Sequence, residues 1–323
     1  QSLLWRNPFA LSMVMLDIID LKAHFPTPDG LVKAVDSVDL QIEDNERLGL
    51  IGETGSGKTV LGMSIIRLLP PSAIVEGRMI YKGRDLLRLT EEEMRRLRGK
   101  EIAMILQNPT TSLNPVLKIG DQIAEVISLH LGLGKREAKA RAVQMLEAAM
   151  IPEAERRAEQ YPHELSGGMK ERVMIAMGLA SHPSFVIADE PTKGLDARTK
   201  AEIISLIQDM TSGRSMLMIT HDLAAAGEIC DRIAVLYAGE ILEEAGADKI
   251  LSDPQHPYTQ GFIRSLPSQG LHPISGSSPS LIDPPSGCRF HPRCPYVMEI
   301  CKREHPQMIR LERGHSSRCY LCH

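Results

Sequence analysis

The chain has 323 residues, enough for one large domain or two ordinary ones, and its 43% apolar and 24% charged content suits a soluble globular protein. A net charge of −4 and an aromatic share of 4% give no sign of a nucleic-acid partner, which a basic face or base-stacking rings would announce. No run reaches the roughly 18 consecutive apolar residues of a membrane helix, so the chain reads as cytoplasmic and any membrane role must come through partners.

Residues 1 to about 12 read as a leader or appended segment rather than a signal peptide, because Arg6, Asn7 and Pro8 break the apolar run. Between residues 13 and 50, MLDIIDLKAHF, AVDSVDLQI and RLGLIG are predicted strands separated by turn residues. VLGMSIIRLL, residues 60 to 69, has helical spacing and is closed by Pro70 and Pro71. EGRMIYKGRDL predicts a hairpin, and Thr90 with Glu93 a capping box opening a short helix. From about 119 to 160 the pattern is helical throughout, which predicts an inserted helical subdomain, bounded at about 110 and 175. Strand and helix then alternate through VMIAMGLA, SFVIAD, KAEIISLIQDM, SMLMIT, AAAGEIC and RIAVLY, as in βα units on a mostly parallel sheet. After about 265 a Ser, Pro and Gly stretch (HPISGSSPSLIDPPSG) has linker composition and leads into a cysteine-rich tail.

Two features carry chemistry. Gly52-Glu53-Thr54-Gly55-Ser56-Gly57-Lys58-Thr59 fits G-x-x-x-x-G-K-[ST] between an apolar strand and a helical run that opens with Val60. Glycines let successive N–H groups face phosphate oxygens, Lys58 supplies a point charge and Thr59 a hydroxyl suited to Mg²⁺. The second is FVIAD followed by Glu190. Adjacent side chains of an extended segment point different ways, so Asp189 can serve the metal while Glu190 faces an attacking water. The reaction class is in-line phosphoryl transfer to water.

Together with Gln107 in ILQNP, Ser166-Gly167-Gly168 in LSGG and His221 in ITHDL, these motifs stand in the order and spacing of ABC-transporter ATPase subunits, which the chain resembles from about residue 13 onward. NPTTSLNP, YPHELSGGM, DRIAVLYAGEI and HPYT further resemble the oligopeptide, dipeptide and nickel importer branch. The resemblance implies an α/β P-loop NTPase fold: a mostly parallel sheet, an N-terminal antiparallel β subdomain, the helical insert, an ATPase domain over 13–265 and a small C-terminal cysteine-rich extension over 266–323. It implies hydrolysis of ATP with Mg²⁺ held by Thr59, Asp189 and Gln107, Glu190 as general base, and His221 holding Glu190 and water in line. Phe25 would stack on adenine. In that family two ATPase subunits pair head to tail, so Ser166 and the 167–168 backbone would complete the partner's γ-phosphate site, with Asp196 beside the nucleotide at the same interface. Thr192-Lys193-Gly194 before Leu195 departs from the family pattern by placing a charge there. The implied partners are a second, different ATPase chain, two membrane permeases and an extracytoplasmic solute-binding protein, with this chain peripheral on the cytoplasmic face. Nickel or another small solute, or a soluble ABC ATPase working on nucleic acid or ribosomes, are the alternative functions.

Cys230 stands alone in the first 287 residues and reads as a buried small apolar residue, whereas Cys288, Cys294, Cys301, Cys319 and Cys322 crowd the last 36. Spacing by itself leaves zinc, disulfides and an iron–sulfur cluster open. The wording GCRFHPRCPY…EICKREHPQ…GHSSRC resembles peptide-importer tails, which implies a [4Fe–4S] cluster on Cys288, Cys294, Cys301 and Cys319, with Cys322 spare.

Overall fold

A computed structural model describes residues 14–312 and 314–322. The expected leader, residues 1–12, lies outside the described residues. Two sheets organise the molecule. Long antiparallel strands β1 (Val14–Thr27) and β2 (Gly30–Glu43) are joined by β4 (Ile74–Tyr81) and the short β5 (Arg84–Asp85) in the order β2-β1-β4-β5. This is the expected antiparallel subdomain, and β4–β5 is the expected hairpin.

The second sheet contains eight strands. They are β3 (Arg47–Ile51), β6 (Ile102–Ile105), β7 (Phe185–Asp189), β8 (Ser215–Thr220), β9 (Arg232–Tyr237), β10 (Glu240–Gly246), β11 (Ile309–Glu312) and β12 (His315–Ser317), ordered β11-β12-β10-β9-β3-β8-β7-β6. The five strands β9-β3-β8-β7-β6 are parallel. Every residue of β7 and β8 is buried, as expected of parallel strands covered on both faces, and this is why FVIAD and SMLMIT are continuous apolar runs. β10, β12 and β11 then extend the sheet in antiparallel fashion, so the C-terminal region is stitched to the main sheet.

Helices Ile119–Leu131, Lys135–Ala148 and Ala154–Ala158 pack on one another and on helix Gly167–Leu179 to form the helical group. The capping box forms as expected. Thr90 Oγ1 accepts from Glu93 N, and the Glu93 carboxylate accepts from Thr90 N. A separate core lies under the C-terminal region, where Tyr237, Tyr258 and Phe290 meet with ring centroids 4.5 to 5.4 Å apart. Among the described residues no helix is long and apolar enough to cross a membrane.

Candidate active site

The 52–59 loop leaves the carboxyl end of β3, between the parallel strands β9 and β8, and the carboxyl ends of strands are where open α/β sheets form their ligand crevice. Its glycines are required by space as well as by conformation. Gly57 sits at φ 106°, and a Cβ there would run into the Ala34 carbonyl of β2. Gly52, at φ 156°, is pressed against the Leu236 carbonyl. Lys58 opens helix Lys58–Ile65 and folds back so that its buried Nζ donates to the carbonyls of Gly52 (2.7 Å) and Glu53 (2.9 Å). Burial lowers its proton affinity.

Thr59 Oγ1 donates to Asp189 Oδ1 across 3.2 Å, joining the end of the loop to the end of β7. Asp189 is almost fully buried, and that burial pushes its pKa upward; the Thr59 bond pulls the other way and the neighbouring Glu190 adds to the rise. Glu190 takes a left-handed backbone, φ 50°, unusual for a residue with a Cβ. Its N–H donates to Ile219 O at the end of β8 (2.8 Å), and its carboxylate lies 2.7 and 2.9 Å from His221 Nδ1. The turn thus points two consecutive carboxylates at different partners, Thr59 and His221. Glu190 is buried, whereas the His221 side chain is half exposed.

The other expected residues lie on further elements. Gln107 follows β6, the neighbour of β7, and is half buried. Phe25 is half buried on β1 opposite Val32, on the hairpin whose Ala34 touches the loop at Gly57. Ser166 and Gly167 are exposed; Ser166 caps helix Gly167–Leu179 by accepting from Met169 N, and Gly168 leaves no room for a Cβ against Thr199. Asp196, also exposed, caps helix Ala197–Met210 and accepts from Thr199 Oγ1 (2.6 Å). Lys193 is exposed in the turn after Glu190, near enough to lower the proton affinity of both Lys58 and Asp189. The expected residues therefore divide in two. Loop, Asp189, Glu190 and His221 gather at one end of the parallel strands, while Ser166–Gly168 turns outward with the helical group.

This geometry agrees with the family comparisons. The ABC transporter family matches residues 35–193, and the family described as "Oligopeptide/dipeptide transporter, C-terminal region" matches residues 242–301. A probable peptide ABC transporter ATP-binding protein of Sinorhizobium fredii is 42% identical over 95% of both chains. The chain belongs to the ABC transporter ATP-binding proteins. The oligopeptide transport ATP-binding protein OppD of Bacillus subtilis is likewise 42% identical, over 96% of this chain and 89% of that one. A dimeric ATP-binding cassette solved with ADP and phosphate superposes with a TM-score of 0.66 at 27% identity, over 72% of this ABC ATPase and 99% of that chain. The chain is accordingly an ATP-hydrolysing enzyme with the expected α/β fold of an ABC ATPase cassette.

Sequence reasoning missed three residues at this site of the ABC ATPase. Glu53, inside the loop, donates its N–H to Tyr258 Oη (3.0 Å), and its carboxylate accepts two bonds from Arg293 (2.9 and 3.1 Å) and one from Ser278 (2.5 Å). These partners lie more than 200 positions away, so no local spacing could have signalled them. In the tail, Cys288, Cys294, Cys301 and Cys319 all line one small pocket together with His256 and Phe290. Burial raises the thiol pKa of Cys288 to about 11 and also raises that of Cys294. Among the described residues no group of three or more His, Cys, Asp or Glu side chains is arranged to hold a metal ion, so the structure supports neither the zinc alternative nor the expected iron–sulfur cluster. Cys230 caps the end of helix Leu223–Ile229 rather than lying within it; it is buried against Gly49 and Met218, as expected of an apolar residue.

Proposed function

We propose that this ABC ATPase energises uptake of oligopeptides or dipeptides across the cytoplasmic membrane, acting from the cytoplasmic face. The observation that carries the ATPase half is the pairing of Thr59 with Asp189 and of Glu190 with His221 beside the phosphate loop. The peptide half rests on the C-terminal match at 242–301 and on relatives named for peptide transport.

In the proposed mechanism the loop amides and Lys58 hold the β- and γ-phosphates, and Phe25 covers the base. The Thr59 hydroxyl and the buried Asp189 carboxylate form a hard oxygen pair that fits Mg²⁺, with Gln107 completing its protein ligands. When bound, the ion neutralises charge on the phosphates. Glu190 accepts the proton of the attacking water, and His221 fixes the carboxylate in line through Nδ1. Positioning and charge stabilisation then supply most of the rate. The exposed Ser166–Gly168 corner supplies a helix N-terminus for the γ-phosphate held by a second ATPase subunit, with Asp196 beside it. Two permeases and an external solute-binding protein complete the importer.

The four thiolates of Cys288, Cys294, Cys301 and Cys319 would hold a [4Fe–4S] cluster. What supports this reading is that the four cysteines line one pocket, where each could offer a thiolate to one iron. When bound, the cluster supplies a rigid crosslink of the tail. Iron and sulfide analysis of anaerobically purified protein should give four of each per chain, and stoichiometric zinc without iron would refute it.

The test of the function is peptide uptake into vesicles carrying the assembled importer. Wild type should accumulate labelled peptide with MgATP. Glu190→Gln should still bind ATP but lose hydrolysis and uptake by at least about 100-fold. Near-normal hydrolysis by that variant would rule out Glu190 as the base.

A further inference from the structure

The bonds that converge on Glu53 tie the phosphate loop to the tail. Arg293 is delivered by the single turn His291–Arg293, which lies between Cys288 and Cys294. Its side chain is 6% exposed, and its guanidinium lies over the Tyr237 ring at 5.7 Å from the centroid and makes a two-bond contact with the Glu53 carboxylate. Charge-assisted, two-point contacts of this kind, shielded from water, are the strong class of hydrogen bond. Tyr258, fully buried under the same aromatic group, holds the Glu53 N–H. Ser278 adds a third contact from the segment with linker composition, and that segment is itself anchored where Leu281 O accepts from Lys33 N. Glu53 is thus fixed through its amide by Tyr258 and through its carboxylate by two tail residues, Arg293 and Ser278, one position after Gly52 and five before Lys58.

We propose that Arg293 is a positioning residue for ATP binding: its grip on Glu53 holds the phosphate loop in its binding shape, so that the tail sets the enzyme's nucleotide affinity. The inference rests on the reading of residues 52–59 as the phosphate loop. The physical reason is entropic. A free loop must be ordered when the phosphates arrive, and fixing even one residue's backbone in advance removes that cost from the binding step. None of the groups proposed for the chemistry, Thr59, Asp189, Glu190 and His221, touches Arg293, so the effect falls on binding rather than on turnover.

The test measures MgATP affinity and steady-state hydrolysis on the full chain. Arg293→Ala should raise KM and the MgATP dissociation constant about tenfold, with kcat within about twofold of wild type. Arg293→Lys keeps the charge but loses the two-point grip and should recover part of the affinity. Glu53→Ala, which also loses the Ser278 bond, should be at least as impaired as Arg293→Ala, and the double variant should be no worse than Glu53→Ala alone, because the Arg293 contact is already gone. Thermal melts separate loss of fold from loss of affinity. If Arg293→Ala fails to fold, the Glu53 variant, altered only at a partly exposed loop side chain, carries the test. An unchanged KM in Arg293→Ala, or additive effects in the double variant, would overturn the proposal. Lys58→Ala separates the two readings. If it binds MgATP normally, the phosphate-loop assignment fails; if it loses binding while Arg293→Ala keeps wild-type KM, only the link to the tail fails.

Discussion

Glu190 sits in a left-handed backbone conformation that a residue with a Cβ adopts at a cost of about 1–3 kcal/mol, and such strain persists where the surroundings fix it. Here the surroundings are the Ile219 carbonyl and the His221 ring, which together aim the carboxylate away from Asp189. A second buried carboxylate has no such support. Glu171, on helix Gly167–Leu179, is nearly inaccessible, and its Oε2 lacks a hydrogen-bond partner among the described residues. Burial raises its pKa to about 7. Because the folded chain binds this proton more tightly than the unfolded one, the residue's contribution is fully present below about pH 4.5 and is lost as pH rises toward 7. Glu171→Gln, which keeps the shape and cannot ionise, should therefore stabilise the protein at pH 8 by about 1 kcal/mol and leave it little changed at pH 5. Denaturant melts at the two pH values would show this, and equal shifts at both would contradict it.

At the scale of elements, the phosphate loop depends on what β2 and β9 leave free. Gly57→Ala should cost about 2 kcal/mol or more and abolish MgATP binding, since the methyl group would collide with the Ala34 carbonyl in a backbone geometry already unfavourable to alanine. Calorimetry and a melt would register both effects, and wild-type affinity would mean that the loop can shift at no cost. The elements that the sequence predicts well are those whose signal is local. The glycine spacing at 52–59, the Thr90–Glu93 box, the apolar runs of β7 and β8 and the β4–β5 hairpin each rest on neighbours a few positions away. Residues 272–287 show the converse. Their Ser, Pro and Gly content has no apolar period and so resembles a free linker, yet Leu281 pairs with Lys33, and Ile282 fills the space that a Cβ on Gly30 would need. What holds this stretch is a backbone bond and side-chain contacts to distant partners, which composition does not encode. The same limit applies to the Glu53–Arg293 contact and to the convergence of four cysteines on one pocket.

For the whole molecule, the split between the inward loop and the outward Ser166 corner predicts an enzyme that is incomplete alone. Hydrolysis per chain should rise steeply when the partner ATPase is titrated in and level off at one partner per chain. Ser166→Ala should weaken that activation while leaving MgATP binding to the lone chain intact, and full activity without a partner would refute the shared site. The continuity of the main sheet has another consequence. β12 pairs with β10 through Glu243 and Glu244, and β11 lies outside it, so the C-terminal hairpin occupies the hydrogen-bonding rim of an eight-stranded sheet. A gene shortened to end near residue 300 would leave that rim bare along Glu243 and Glu244, a template on which a neighbouring molecule could add its own strand. Such a product should collect in inclusion bodies during expression, even though every nucleotide motif remains in its sequence.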